Sequence, residues 1–136
     1  MQSMKAGEEE HLSRLQGLMA ERRVRPTALL PLAQAAGWLL GAASAALGPA
    51  GAMACTVAVE TVIGAHYNDQ IRALLSAGHG AEEAELLAVF RKHRDEELQH
   101  LDTGIERGAE AAPGYAAITT AVKAGCLAAI EVVKRV

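Results

Sequence analysis

The chain has 136 residues and a net charge of −3, and only 3% of its residues are aromatic. This length suffices for one domain with a hydrophobic core, whereas the charge balance and the scarcity of aromatic side chains exclude an extended basic face or a stacking platform for nucleic acid. Ala, Leu and Val dominate, and Gly and Pro fall between periodic stretches, which is typical of an all-α protein. Cys55 and Cys126 are too few for a disulfide scaffold, so we expect both to be reduced and buried.

The first predicted helix runs from Met4 to about Ala20. Side chains that recur there at helical spacing are Met4, His11, Leu12, Leu15 and Met19. The pattern ends at a cluster of cations followed by a proline, namely Arg22, Arg23, Arg25 and Pro26.

No charged residue occurs from Pro26 to Val59. This run exceeds the roughly 20 apolar residues that span a bilayer, but prolines and glycines divide it into Ala28–Leu47 and a segment from Ala52 onward. Three interpretations remain open: a transmembrane hairpin, an ordinary buried core, and a helix on a membrane surface beside a channel for a lipophilic substrate. The arginine cluster before the run favours the third, because cations bind the anionic headgroup layer. Trp38 suits an interfacial anchor and equally suits core packing.

The next predicted helix, from about Ala52 to Ser76, carries Glu60 within these apolar surroundings. Burying a carboxylate without a partner is costly, so Glu60 requires a partner. Tyr67 lies seven residues later and therefore on the same face, together with Ile63 and Gly64. Its hydroxyl could lie next to the ligands of a metal site at Glu60 without binding the metal itself. The alternative is that Tyr67 is an ordinary core aromatic whose hydroxyl has a hydrogen-bond partner.

The remaining elements are a turn and two helices. Ser76–Gly80 is a predicted turn that exposes His79, and Ala81 to about Arg107 is the next helix. Pro113 and Gly114 precede a last helix, Tyr115–Val133. Its small side chains allow close packing against a neighbour, and they are Ala121, Gly125, Ala128 and Ala129.

A glutamate stands three residues before a histidine twice, as Glu8 with His11 and as Glu97 with His100. This spacing places a carboxylate and an imidazole on one helix face, where both can bind the same cation. Two such pairs together with single glutamates from other helices form the di-iron site of four-helix bundles, and Glu60 is one such glutamate. The alternative for each pair is a solvated helix face. His93 shares the face of Glu97, and we expect it to be a neighbour of the site.

Five segments carry motifs of a known family, and they are Arg23–Thr27, Gly51–Glu60, His66–Arg72, Arg94–His100 and Ala124–Cys126. They resemble the demethoxyubiquinone hydroxylase family of ubiquinone biosynthesis, and the similarity covers essentially the whole chain. The resemblance implies an all-α, ferritin-like helical bundle with an additional apolar membrane-interface helix. It also implies a monooxygenase that hydroxylates the ring of demethoxyubiquinone with two iron ions, O2 and a reductant such as NADH.

The resemblance makes five residues the iron ligands: Glu8, His11, Glu60, Glu97 and His100. By the same resemblance Glu8 and Glu97 bridge the two irons, Glu60 is terminal, and His66 and Tyr67 lie close to the site. Family members carry a further glutamate on an earlier helix, and this chain starts after that helix. We therefore expect residues 1–136 to form a single ferritin-like domain that is short at its N-terminus, with a sixth ligand supplied from elsewhere.

The resemblance further implies a peripheral membrane protein, at the cytoplasmic face of a bacterial inner membrane or the matrix face of the mitochondrial one. A bundle that lacks one helix position exposes apolar surface, so we expect a homo-oligomer, bound lipid or a lipid-binding accessory protein of the quinone-synthesis complex. The expected access surface for the quinone consists of Leu29, Leu30, Leu32, Trp38 and Leu39. Two alternatives use the same residues: a ferroxidase or rubrerythrin-like protein, and a non-catalytic form that binds quinone or a partner.

Overall fold

The computed structural model describes residues 2–135, and these residues form five α-helices and one short 3-10 turn. The helices are α1 (Gln2–Glu21), α2 (Leu30–Ala46), α3 (Gly48–Ser76), α4 (Ala84–Glu106) and α5 (Tyr115–Val133), and the 3-10 turn is Ala109–Ala111. The all-α prediction is therefore confirmed for the described residues. The bounds of α5 are those predicted, and the remaining helices differ from prediction by a few residues at their ends.

The arginine cluster ends α1 through a left-handed residue. Arg23 has a φ of +54°, and the N–H of Val24 donates to the carbonyl of Met19 at 2.8 Å while the N–H of Arg23 donates to Ala20 at 3.2 Å. These two hydrogen bonds form a Schellman-type C-cap, which satisfies carbonyls that the last helical turn leaves without an intrahelical donor. Glycine usually takes this position, so the side chain of Arg23 is held at some conformational cost.

The break between α2 and α3 lies at Leu47 and Gly48, four residues before the predicted start of α3. Gly48 has a φ of +83°, which reverses the chain direction, and Pro49 then lies in the first turn of α3. Proline is tolerated there because its missing N–H has no intrahelical acceptor. The prediction treated Pro49 and Gly51 as breakers, but they lie within the helix.

The long helix α3 is the centre of the fold, and α2, α4 and α5 all pack against it. Met53 and Val57 of α3 and Ala109 of the 3-10 turn form a buried cluster. Gly104 of α4 faces Val57, so the two helices approach closely at this point. By contrast, α1 packs against α4.

The two halves of the uncharged run have different surroundings. In α2 the apolar side chains are exposed, with Trp38 at 73% and Leu32 at 67%, so core packing is wrong for Trp38. In the first half of α3 they form the core. By length and composition α3 and α5 could each cross a membrane, although half of the apolar part of α3 is buried within the protein.

The small side chains of α5 do not pack closely against a neighbouring helix, although their size would allow it. They line an open groove between α2 and α5, and a Cβ added at Gly125 would meet no atom within 4 Å. The groove forms because α2 packs on α3 at a distance from α5. Cys126 also lines this groove and is only half-buried, whereas Cys55 is buried as predicted.

Candidate metal centre

Three helices bring four of the predicted ligands together. Ligand atoms of Glu8 from α1, Glu60 from α3, and Glu97 and His100 from α4 all lie within 4.8 Å of one another. The helical offset of three residues places Glu97 and His100 on the same face of α4, and that face points at Glu60. Glu60 and Glu97 are buried, whereas Glu8 is half-exposed.

His11, the fifth predicted ligand, lies beside the same carboxylates. Its Nδ1 is 3.2 Å from Oε1 of Glu97 and 3.7 Å from Oε2 of Glu8. His100 occupies an equivalent place on the other side, with Nδ1 2.9 Å from Oε1 of Glu8 and 3.5 Å from Oε2 of Glu97. Glu8 and Glu97 therefore lie between two imidazoles.

The inward-facing atoms of this cluster have no protein partner in hydrogen-bond geometry. Among the described residues, the buried side-chain atoms without one are Nδ1 of His11, Nδ1 of His100 and Oε2 of Glu97. Buried polar atoms of this kind are costly unless something else satisfies them. A cation would satisfy all three, and a set of carboxylates and imidazoles suits iron or manganese. The residues present thus fit a metal centre.

Crowding of carboxylates shifts the proton affinity of the cluster. Burial, the hydrogen bond with Glu97 and the charges of Glu97 and Glu8 raise the pKa of Glu60 to about 10. Burial and the charge of Glu97 also raise the pKa of Glu8, against the opposing effect of His11 and His100. Three carboxyl groups in one space repel one another when ionised, and a bound cation relieves that repulsion.

Glu96 holds the first imidazole from outside the cluster. Nε2 of His11 forms a hydrogen bond of 2.8 Å with Oε2 of Glu96, which leaves Nδ1 directed at the carboxylates. Carboxylates of this kind fix the orientation of a metal-binding histidine. The sequence prediction missed Glu96 because the alternating charges of this segment also fit a solvated face. In the structure Lys92, four residues before Glu96, forms an ion pair with Glu10 of α1, but the sequence alone does not show that this side of α4 faces α1.

A sequence profile of the family described as ubiquinone biosynthesis protein COQ7 matches residues 1–133. The chain belongs to this family. A relative from Mus musculus, NADPH-dependent 3-demethoxyubiquinone 3-hydroxylase, is 50% identical over 99% of this chain and 62% of its own length. The 3-demethoxyubiquinol 3-hydroxylase of Rhodospirillum rubrum is 45% identical over 100% of the chain and 62% of its own length. The mitochondrial 5-demethoxyubiquinone hydroxylase of Saccharomyces cerevisiae is 40% identical over 93% and 58%.

The chain thus spans about three-fifths of the length of the curated relatives that it matches. The COQ7 family is a ferritin-like di-iron family. The resemblance to the demethoxyubiquinone hydroxylase family that the five sequence segments indicated is therefore confirmed.

Tyr67 belongs to α3 and is buried near the candidate metal centre. Its hydroxyl forms a hydrogen bond with Nδ1 of His93 at 3.2 Å. Burial, and then the charges of Glu97 and Glu8, raise its pKa above the ordinary value, so the phenol stays protonated. His66 instead lines a groove between α3 and α5 with Gln70 and Lys134.

The predicted access residues lie at several places on the surface. Leu29 and Leu32 line an apolar groove of about 280 Å³ between α2 and α5. A neighbouring groove of about 480 Å³ is lined by Ala33, Ala36, Gly37, Leu40, Ala121, Val122, Gly125, Cys126 and Ala129. Leu30 lines a separate groove beside Arg25, while Trp38 and Leu39 are exposed and belong to neither apolar groove. The groove residues other than Leu29 and Leu32 were not predicted, because helical spacing does not show where two helices leave a gap.

Proposed function

We propose that this chain is a di-iron monooxygenase that hydroxylates the ring of a demethoxyubiquinone. The observation that carries the proposal is the convergence of ligand atoms from Glu8, Glu60, Glu97 and His100 within 4.8 Å, in a family whose curated relatives bear hydroxylase names. The site's carboxylates and imidazoles are the donors that such an iron centre requires.

The residues that would hold iron are Glu8, His11, Glu60, Glu97 and His100. Glu8 and Glu97 each lie beside both imidazoles, which supports a role in which two ions share these carboxylates. Glu60, which is buried on α3, would add a third carboxylate to the set. When bound, two ferrous ions supply the electrons for activation of O2.

The protein groups around the centre exclude water and orient the ligands. Glu60 and Glu97 are 8% and 2% exposed, so the inner side of the centre is dry, which strengthens electrostatic interactions there. Glu96 fixes the ring of His11 through Nε2. We infer that the protonated hydroxyl of Tyr67 lies next to the ligands and helps to hold the residues around them in place.

The apolar surface of α2 and α5 supports a lipophilic substrate and a membrane location. We infer that a quinone approaches through the grooves between these helices while its prenyl tail remains in lipid, with exposed Leu30, Leu32, Trp38 and Leu39 at the surface. The arginines after α1 would then contact headgroups. We further propose peripheral attachment to the membrane that holds the quinone pool, and a nicotinamide nucleotide as the reductant, as named for the murine relative.

Exposed apolar surface of this extent also supports association with a second copy or with a lipid-binding accessory protein. We propose that residues 1–136 act as one domain in such an assembly. Light scattering of the lipid-free protein tests this, because a monodisperse monomer would contradict association.

Metal stoichiometry tests the centre. After anaerobic reconstitution with ferrous ion, elemental analysis is expected to give close to two irons per chain, and Glu97→Ala is expected to abolish most of this binding. Glu9→Ala is the matched control, because Glu9 lies beside Glu8 in sequence but forms an exposed pair with Lys5. Iron at the level of adventitious binding, or equal loss in both variants, would contradict the proposed centre.

Activity is then tested by product formation from a demethoxyubiquinone in the presence of O2 and a nicotinamide nucleotide. Hydroxylated quinone is the expected product. Iron uptake with oxidation of ferrous ion but without hydroxylated quinone would instead support the ferroxidase alternative.

A further inference from the structure

His93 is the largest side chain that is fully buried among the described residues, with 1% exposure. It belongs to α4, one turn before Glu97, and it is not among the residues whose ligand atoms converge on the metal centre. Burying an imidazole this completely is costly unless its polar atoms and its ring both find partners. The contacts of His93 therefore need an explanation beyond simple core filling.

Its ring contacts His11. The two imidazole centroids are 4.0 Å apart and the planes differ by 27°, which is a stacked arrangement. His11 is thus held at two places by α4: Glu96 forms a hydrogen bond with Nε2, and His93 covers one face of the ring.

Its edge contacts Tyr67. Nδ1 of His93 and the Tyr67 hydroxyl are 3.2 Å apart and form a hydrogen bond, and the two rings meet edge to face with centroids 5.7 Å apart. Phe90 packs against the same tyrosine ring, also at 5.7 Å, but has no polar atom to offer. The hydrogen bond with His93 therefore determines where the hydroxyl points, whereas Phe90 contributes only to the position of the ring.

We propose that His93 is a positioning residue that orients the Tyr67 hydroxyl with its edge and the His11 ring with its face. A flat heteroaromatic ring performs both tasks at once, which neither a phenyl group nor an amide can do. The contacts involve protein groups alone, and the role rests on the proposed function only in that His11 and Tyr67 serve a metal centre.

Two substitutions separate the two contacts. His93→Phe keeps a ring against His11 and removes the hydrogen bond to Tyr67. His93→Asn keeps a polar atom at the place of Nδ1 and removes the ring. Phe90→Leu is the control, because it changes the packing of the Tyr67 ring and leaves the hydrogen bond intact.

The first readout is NMR of metal-free protein labelled with 13C at tyrosine Cζ, whose shift reports hydrogen bonding of the phenol. The chain has two tyrosines, so two resonances are expected, and Tyr67→Phe assigns them. His93→Phe is expected to move the Tyr67 resonance while the Tyr115 resonance stays, and His93→Asn is expected to leave both near their original places. A Tyr67 resonance that is unmoved in His93→Phe, or moved equally in Phe90→Leu, would overturn the first half of the proposal.

The second readout is the binding of Co²⁺, followed by its visible absorption. His93→Asn is expected to bind roughly 2- to 12-fold more weakly, which is the range that an aromatic pair contributes, and His93→Phe is expected to bind as the original chain does. Equal affinity in the original chain and His93→Asn would overturn the second half. If the original chain binds no Co²⁺, the proposed metal centre fails, while the NMR result still decides the role of His93 toward Tyr67. If His93→Asn does not fold, His93→Phe alone decides that role.

Discussion

Gly104 lies where α4 comes closest to α3, and Gly104→Ala is expected to destabilise the protein. A Cβ at this position would be 2.7 Å from Cγ2 of Val57 and 3.5 Å from the carbonyl oxygen of Met53. Non-bonded carbon atoms prefer separations of about 3.5–4.0 Å, so α4 or Val57 must move. Val57 is 4% exposed and packs against Met53, which leaves it little room.

The expected magnitude follows from two opposing contributions. Overpacking of a core by one methyl group costs about 1–3 kcal/mol, whereas replacing a helical glycine by alanine contributes about 1 kcal/mol of helix stability. The net loss for Gly104→Ala is therefore about 0–2 kcal/mol. Gly125→Ala is the matched control, because a Cβ there meets no atom within 4 Å and only the helix contribution remains.

Urea unfolding followed by far-UV circular dichroism measures both variants in the metal-free protein. The free energy of unfolding is expected to be about 1–3 kcal/mol lower for Gly104→Ala than for Gly125→Ala. Val57→Ala removes the obstructing methyl groups, so the double variant Gly104→Ala/Val57→Ala is expected to be more stable than the sum of the single effects predicts. Equal stability of the two glycine variants, or strict additivity with Val57→Ala, would refute the reasoning.

Three further outcomes are expected. Glu96→Ala should weaken binding of Co²⁺ about 10- to 100-fold, because the ring of His11 loses its outer hydrogen bond, whereas Glu106→Ala should not; equal affinities in a titration would contradict this. Leu39→Asp should reduce sedimentation with anionic liposomes at unchanged iron content, and unchanged partition would contradict the membrane-facing role of α2. Salt at about 1 M should accelerate amide exchange in α1 more than in α3, since ion pairs such as Arg14–Glu85 join α1 to α4; equal acceleration would contradict this.

The sequence predicted those parts of the fold that depend on local order. Helical spacing located each helix to within a few residues, and the offset of three between glutamate and histidine predicted which side chains meet at the centre. The shared face of each pair could be predicted because it is a property of a single helix, whereas the role of these side chains as metal ligands stays a prediction. The largest error in a helix start was at α3, where Pro49 was treated as a breaker although it occupies the first turn.

The parts that could not be predicted depend on how two helices face each other. Glu96 contacts His11, which is 85 residues away along the chain, and the charge pattern of α4 also fits a solvated face. His93 was expected beside the site, but its stacking on the ring of His11 was not predicted. The open groove between α2 and α5 depends on the position of α2 on α3, so the sequence could not show that the small residues of α5 line a groove. The exposure of Trp38 likewise depends on tertiary structure, since composition suits either environment.

Docking of α1 determines whether the centre is complete. This helix supplies Glu8 and His11, yet within its described side chains only His11 and Leu18 are buried. Ion pairs between α1 and α4 such as Glu10–Lys92 lie at the surface, where each contributes little to stability and is screened by salt. The other link is the cluster of candidate ligands, in which burial and the charge of Glu97 raise the pKa of Glu8 against the opposing effect of His11 and His100. A bound cation would stabilise the ionised form of Glu8. We therefore expect metal binding to stabilise the docking of α1, as in proteins whose metal sites contribute to their folding free energy.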